Sequence, residues 1–177
     1  SGPNDRDETI GPNKPFRDIA WGLASNGIAV LRYDKRTKVY PGKITKEIHN
    51  FTVMEETILD VIKAIEFVED FDYIDHNRIF ILGHSLGGML IPRIAEITTT
   101  PAGYIIMSGP MRSLSELIIK QTEYIALSND GKIDSKEKKQ INEIKKLIKK
   151  IRYIQKTRAT KNPKVILGAS NKYWIDL

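Results

Sequence analysis

A serine between closely spaced glycines is the part of this 177-residue sequence best suited to chemistry. It stands in Gly83-His84-Ser85-Leu86-Gly87, directly after an apolar run and directly before a helical pattern. A tight strand-to-helix turn raises a serine hydroxyl at the carboxyl end of the strand, where it can attack a carbonyl. Glycines two residues before and after remove the Cβ atoms that would collide there. We therefore predict that Ser85 is the nucleophile of a hydrolytic site.

The same turn offers a way to stabilise negative charge. Leu86 would open a helix running to Ile97, and the first N–H groups of a helix have no acceptor within it. Such groups stabilise the oxyanion that develops when a hydroxyl attacks a carbonyl carbon. We expect the Leu86 N–H to be one donor of an oxyanion hole.

Three apolar runs of strand length alternate with helical patterns in the first part of the chain. The runs are Ile28–Tyr33, Arg78–Gly83 and Ala102–Ser108. The first follows a helix that Pro15 can open, because the fixed φ of proline suits the first helical position. Strands that alternate with helices predict a mostly parallel sheet flanked by helices, an α/β fold.

After Pro110 the sequence carries helical periodicity alone as far as Lys156. Asp134-Ser135-Lys136-Glu137 resembles a helix cap, and isoleucines recur at helical spacing behind it. We therefore expect a core over residues 1–110 and a helical segment over residues 111–177.

Several stretches resemble the α/β-hydrolase superfamily, specifically its bacterial esterase and serine-aminopeptidase-like group. They span residues 1–110, roughly 60% of the chain, in a class of fold whose nucleophile sits on such a turn. The resemblance implies a partial α/β-hydrolase fold, with residues 111–177 as the helical lid that this group inserts after its sixth strand. The stretches are Ser1-Gly2-Pro3-Asn4-Asp5-Arg6-Asp7, Leu31-Arg32-Tyr33-Asp34-Lys35-Arg36, Asp75-His76-Asn77-Arg78-Ile79-Phe80, and Gly83 to Gly88 continuing to Pro92-Arg93-Ile94-Ala95.

The resemblance also implies what else the site requires. In this group a His-Gly pair usually precedes the segment matching Ser1 and Gly2, so these two residues are candidates for the second oxyanion donor. The triad order is serine, acid, histidine, whereas the three histidines here come at or before Ser85. We expect the acid and the base beyond Leu177, and we do not expect Asp176 to be the triad acid.

The remaining candidates are expected to be structural. His49 and His76 are interpreted as loop residues, and the side chain of His84 should point away across the turn. Arg6 and Asp7 are expected to form a local ion pair that shapes the oxyanion loop. The loop of Asp34 and Arg36, also ion-paired, resembles the one after the family's fourth strand.

The resemblance also implies that one strand is missing from the sheet. The runs at Ile28 and Arg78 match the family's fourth and fifth strands, between which its third strand lies. Without that strand both runs lack a direct neighbour and leave backbone groups unpaired. We expect a disturbed or partial sheet.

Composition narrows the choice of cofactors and partners. The absence of cysteine excludes thiolate ligands and a cysteine nucleophile, and no apolar run has the roughly 20 residues of a transmembrane helix. Residues 136–164 hold twelve basic and two acidic residues, which we interpret mainly as a solvated helix face rather than a nucleic-acid or membrane site. Residues 128–137 faintly resemble a calcium loop but lack an oxygen ligand at Ala126. No metal or organic cofactor is expected.

The function expected from all of this is hydrolysis of a small-molecule ester, or of a peptide or amide, through an acyl-serine intermediate at Ser85. The alternative is a catalytically inert fragment or a binding module that keeps the turn without its base. A histidine downstream of the chain would discriminate between the two.

Overall fold

The structure is a computed structural model that describes Gly2, residues 4–161 and residues 164–177. It divides into two compact units. The first comprises residues 1–46 and 53–109, and the second comprises residues 47–52 and 110–177.

Helices outnumber strands in the chain up to residue 109. A π-helical turn, Met54–Ile58, leads into α4, and a 3-10 turn, His76–Arg78, precedes β1. The helices and strands are α1 (Pro15–Ala24), α2 (Arg36–Val39), α3 (Pro41–Glu47), α4 (Leu59–Glu69), β1 (Phe80–His84), α5 (Leu86–Ile97) and β2 (Gly103–Met107).

Strands β1 and β2 form a parallel pair whose register runs from Phe80 opposite Gly103 to His84 opposite Met107. Helix α5 connects them and packs against both. The parallel βαβ unit predicted from the alternating pattern is therefore present, and it places the residue after β1 at the carboxyl edge of the sheet.

The strand predicted at Ile28–Tyr33 is wrong, since these residues are neither strand nor helix. A strand forms only where a neighbour accepts and donates its backbone hydrogen bonds, and in the described part of the chain β1 pairs with β2 alone. The apolar side chains of this run stay open to solvent, with Ile28 51% and Leu31 45% exposed. The expectation of a partial sheet is confirmed.

The core of the first unit lies where the chain enters α4 and along α5. Val53 and Ile58 are completely buried, and Leu90 and Ile94 of α5 are nearly so. Helix α5 is thus stabilised by burial of its apolar face, the usual source of helix stability in proteins. This burial also fixes the position of Leu86, the first residue of the helix.

The second unit is built on a pair of long helices, α6 (Leu114–Asp130) and α7 (Ser135–Thr157). The predicted cap is confirmed, because the Asp134 carboxylate accepts from the Glu137 N–H (2.7 Å) and the Glu137 carboxylate accepts from the Asp134 N–H (3.0 Å). This capping box satisfies two N–H groups at the start of α7.

Beyond α7 the chain folds back as a short hairpin and a final helix that the sequence did not suggest. Ile148 and Ile151 of α7 are almost fully buried, as is Trp174. The Trp174 indole N–H donates to the Ile166 carbonyl (2.9 Å), which fixes the final helix on the hairpin. These elements are β3 (Val165–Ile166), β4 (Ala169–Ser170) and α8 (Asn171–Asp176).

Candidate active site

Ser85 occupies a strained turn between β1 and α5. Its backbone angles are φ 52° and ψ −119°, a region that non-glycine residues rarely adopt and that typically costs about 1–3 kcal/mol. The Ser85 N–H donates to the Met107 carbonyl of β2 (3.1 Å), and the Ser85 carbonyl accepts from the Met89 N–H of α5 (2.9 Å). The strained residue is therefore fixed by both neighbouring elements.

Glycines allow the chain to approach itself closely around this turn. A Cβ on Gly83 would lie 2.5 Å from the Gly87 carbonyl oxygen, and one on Gly88 would lie 2.8 Å from the Gly109 Cα. Both obstacles are backbone atoms, which cannot rotate away as a side chain could. Any larger residue at Gly83 or Gly88 would push α5 off the strands and displace Ser85.

Two of the oxyanion-hole candidates lie in the described residues. Leu86 is the first residue of α5, so its N–H has no acceptor within the helix. Gly2 is half-buried, and its carbonyl accepts from the Asn4 N–H (2.8 Å). Ser1 lies outside the described residues. The donor roles of Leu86, Gly2 and Ser1 stay predictions.

The histidines differ in their surroundings. The His84 ring packs edge-on against Phe16, with centroids 5.2 Å apart and an angle of 84° between the planes. Its Nδ1 is buried without a hydrogen-bond partner among the described residues. His49 and His76 are exposed, and His76 Nε2 lies 3.4 Å from the Phe71 carbonyl oxygen. The Ser85 hydroxyl makes no hydrogen bond to any residue that the structure describes.

The expected pair between Arg6 and Asp7 is wrong, because the structure pairs each of these residues with others. The Arg6 guanidinium donates to the Asp34 carboxylate (2.6 and 3.2 Å), which also accepts from the Arg6 N–H (2.8 Å). Asp7 pairs with Arg32 (2.5 Å) and with Lys14 (3.5 Å). The segment expected to form the oxyanion loop is thus fixed to Arg32 and Asp34, which lie within and directly after the run that was predicted as a strand, and to Lys14.

The next residues continue this row of ion pairs toward α4. Arg36 pairs through its guanidinium with both carboxylate oxygens of Asp60, as the ion-paired loop of the resemblance suggested. Lys35 pairs with Glu56 (3.0 Å) and also donates to the Thr57 hydroxyl (3.2 Å). Lys35 and Glu56 are only 9% and 6% exposed, so this pair is buried.

Sequence reasoning missed the Lys35–Glu56 pair. Lys35 stands in a polar stretch that reads as a surface loop, and only the acidic residue offers a signal. Glu56 lies among apolar residues, between the fully buried Val53 and Ile58. A buried carboxylate requires a partner, so that position alone could have prompted a search for a cation.

The ion pair between Arg6 and Asp34 shifts the pKa of both groups. The hydrogen bond from the Arg6 side chain, together with the one from the Arg6 N–H, lowers the pKa of Asp34 to about 2. The same pair raises the pKa of Arg6. Both groups are therefore fully charged at neutral pH.

The described residues contain no group of three or more histidine, cysteine or acidic residues that could hold a metal. The faint calcium loop is used otherwise, since the Asp130 carboxylate accepts from the Lys132 N–H (2.9 Å) and Asp134 caps α7. Asp176, which we did not expect to be the triad acid, lies half-buried at the end of α8.

Comparison with known proteins agrees with this geometry. The family model described as "Serine aminopeptidase, S33" matches residues 14–172. "Esterase EstD" of Thermotoga maritima is 41% identical over 180 aligned residues, which cover 100% of this chain and 39% of that protein. No solved structure shows significant similarity to the chain.

The chain therefore spans well under half the length of the curated relative that it matches. The family model covers nearly the whole chain, including the Ser85 turn and both strands of the parallel pair. The chain belongs to the serine aminopeptidase S33 family of the α/β-hydrolase superfamily, whose fold it carries in part.

Proposed function

We propose that this chain carries the nucleophile of a serine hydrolase that cleaves carboxylic esters, with peptides or amides as the alternative substrates. The observation that supports this most directly is the conformation of Ser85, a non-glycine residue at φ 52° and ψ −119° between β1 and α5. Strain of this kind persists only where the surrounding structure enforces it, and it is concentrated at functional sites.

The proposed reaction begins with attack of the Ser85 hydroxyl oxygen on the substrate carbonyl carbon, while a general base takes the hydroxyl proton. The carbonyl oxygen becomes an oxyanion that accepts from the Leu86 N–H and from a second N–H at Ser1 or Gly2. Collapse breaks the bond to the leaving group, which takes the proton, and leaves an acyl-serine. Water then releases the acid and restores the hydroxyl.

The proposal assigns the base and the acid to no residue of this chain. Family order places both after the nucleophile, and the three histidines come no later than position 84. We propose that these groups come from residues outside the chain. The helical segment over residues 111–177 is proposed to be a lid that shapes the pocket for the acyl or leaving group.

A carboxylic ester is the preferred substrate for one reason. The curated relative is named an esterase, whereas the family description names an aminopeptidase. The relative is a single protein 41% identical to this chain, so its name is a more specific guide than a description shared by a whole family. We therefore test esters first.

A second candidate, a catalytically inert scaffold, is favoured by one observation. In the described part of the chain no group accepts a hydrogen bond from the Ser85 hydroxyl, and the neighbouring His84 ring is packed against Phe16. A serine without a base is a weak nucleophile. On this alternative the turn is retained only because the packing of β1 and α5 depends on it.

The test is labelling with a fluorophosphonate probe, read by intact mass, because the probe reacts with activated serines. Because the base and the acid are proposed to lie outside these 177 residues, the probe is applied to a longer protein that contains both the chain and those residues. Its wild type is compared with Ser85→Ala and with Ser128→Ala, in which an exposed serine of α6 is removed as a control. A carboxylic ester with a chromogenic leaving group is assayed in parallel.

We expect one adduct on the wild type and on Ser128→Ala, and none on Ser85→Ala. An adduct that persists in Ser85→Ala would contradict the assignment of the nucleophile. A folded wild-type protein of that greater length that takes up no probe would instead support the inert scaffold.

A further inference from the structure

The outer face of α7 carries a concentration of positive charge that the proposed hydrolase does not use. One side of the helix is buried through Ile141, Ile148, Ile151 and Ile154. Every basic residue of α7 and its C-cap is exposed: Lys136, Lys138, Lys139, Lys145, Lys146, Lys149, Lys150, Arg152, Lys156 and Arg158. We call these residues the lysine face.

Little of this charge is neutralised within the protein. In the part of the chain that the structure describes, Lys145 alone among these residues has a carboxylate within 4 Å, since its Nζ lies 2.6 Å from Glu123 Oε1. Lys146 and Lys150 are four residues apart on one helix, as are Lys145 and Lys149. Like charges at that spacing repel and destabilise a helix, so an external anion would relieve the repulsion.

The centre of the lysine face is concave. A shallow cavity of about 330 Å³ is lined by Asn142, Lys145, Lys146 and Lys149. Lys145 is paired with Glu123, but the ammonium groups of Lys146 and Lys149 and the Asn142 amide still offer several hydrogen-bond donors to a single anionic group. A phosphate carried on a larger surface would suit this chemistry.

The side chains favour a lipid surface over a nucleic acid. Most basic residues of the face are lysines, and the lysine ammonium acts as a hydrated point charge. Arginine, by contrast, binds phosphates through two hydrogen bonds in a fixed geometry. Tyr153, 66% exposed, lies within the same face. A ring with an apolar body and a polar tip suits the headgroup level of a bilayer.

We propose that the lysine face binds the surface of an anionic phospholipid membrane, through charge and without insertion. The apolar side of α7 is already buried, so little apolar surface is available to enter the acyl chains. No helix in the described part of the chain is long and apolar enough to cross a membrane. Clusters of four to eight basic residues on an amphipathic helix are typical of such peripheral binding.

The test is cosedimentation of the 177-residue chain with vesicles. Vesicles of phosphatidylcholine containing about one-third phosphatidylserine are compared with pure phosphatidylcholine, at about 0.05 M and about 0.5 M salt. The test variant carries Lys146→Gln, Lys149→Gln and Lys150→Gln. The control carries Lys38→Gln, Lys43→Gln and Lys46→Gln, three exposed lysines of α2 and α3, so both variants lose the same charge.

We expect binding to the anionic vesicles alone, and loss of it at high salt. Each lysine near an anionic surface contributes about a fivefold factor, so the test variant should bind roughly 100-fold more weakly. The control should change by less than about threefold, since its lysines lie outside the face. Circular dichroism of both variants checks that the helices remain.

Three results would overturn the proposal. Equal losses in the two variants would mean that net charge, and not the lysine face, drives binding. Binding to pure phosphatidylcholine, or binding that resists salt, would mean that charge is not the cause. A 20-base-pair DNA duplex, added as a competitor, that displaces the chain at a phosphate concentration far below that of the lipid would assign the face to nucleic acid.

Discussion

The Ser85 turn and the pair of helices α6 and α7 are stabilised in contrasting ways. At the turn, backbone approaches backbone, and a strained serine donates one hydrogen bond to β2 and accepts one from α5. The helix pair is stabilised by features encoded within short stretches of sequence, namely an apolar stripe on α7 and a capping box at Asp134. The turn tolerates almost no change in shape, whereas the outer face of α7 tolerates an accumulation of repelling charge.

This contrast indicates where function constrains the molecule. The turn keeps a strained conformation that lowers stability, and strain of this kind is concentrated at functional sites. The residues that end the two helices differ from Ser85, because Gly131 ends α6 without a Cβ and Arg158 ends α7 at φ 49° and ψ 37°, within the small left-handed region that other residues can adopt. Substitutions that leave local propensity unchanged should therefore affect the turn much more than the helices.

The largest expected effect comes from adding one methyl group at the turn. Gly83→Ala would place a Cβ 2.5 Å from the Gly87 carbonyl oxygen, and we expect a loss of about 3 kcal/mol in unfolding free energy, as for severe overpacking. Gly22→Ala in α1 is the matched control, because a Cβ there meets nothing within 4 Å. We expect it to stabilise the chain by about 0.5–1 kcal/mol.

Urea unfolding of both variants, followed by circular dichroism, measures the difference. If Gly83→Ala were as harmless as Gly22→Ala, the close approach of β1 and α5 would not be a constraint. The comparison between the turn and the helices would then lose its basis.

Replacing a serine with glycine is expected to have an intermediate effect on stability, with a gain at the Ser85 turn and a loss in α6. Ser85→Gly removes the Cβ from a residue at φ 52°, and we expect a gain of about 1 kcal/mol in stability. Ser128→Gly, near the end of α6, should cost about 0.5 kcal/mol, because glycine is a poorer helix former than serine.

Thermal unfolding of the two glycine variants shows directly whether each substitution raises or lowers stability. A rise in melting temperature for Ser85→Gly with loss of probe labelling would mean that activity and stability compete at this residue. A fall as large as that of Ser128→Gly would show that Ser85 is not strained in solution.

The elements that could be predicted from sequence alone are those determined by residues close together in the chain. Helix α5 matches its predicted bounds, since the glycines before it and the apolar face of Leu90 and Ile94 are encoded within a dozen residues. The same holds for the cap at Asp134. The Ser85 turn was predictable because its sequence pattern includes the glycines that its geometry requires.

The elements that sequence alone missed depend on distant partners. Ile28–Tyr33 has the composition of a strand, but a strand also needs a neighbour to accept its hydrogen bonds. The close approach of Gly109 to Gly88 and the burial of Lys35 against Glu56 join segments about 20 residues apart. No periodicity within one segment reports such a contact, so these features could not be predicted from patterns.

The smallest expected effect concerns the ion pair between Arg6 and Asp34, which joins the segment before α1 to the residues that follow Ile28–Tyr33. Hydrogen bonds from Arg6 lower the pKa of Asp34 from 3.8 to about 2. A depressed carboxyl pKa in the folded state adds stability that is fully present above the unfolded value and is lost as pH falls toward the folded one. The stability of the wild type should therefore fall between about pH 4 and pH 2, in part through this group.

Asp34→Asn separates this contribution from those of the other carboxyl groups, because it removes one titrating group and keeps the shape of the side chain. The variant should be slightly less stable than the wild type at neutral pH, and the difference should shrink as pH falls from about 4 to 2. Urea midpoints measured across that range test this. A difference that stayed constant at every pH would mean that Arg6 and Asp34 interact too weakly in solution to fix the loop, as exposed ion pairs often do. The position of Gly2 as a second oxyanion donor would then lose its structural support.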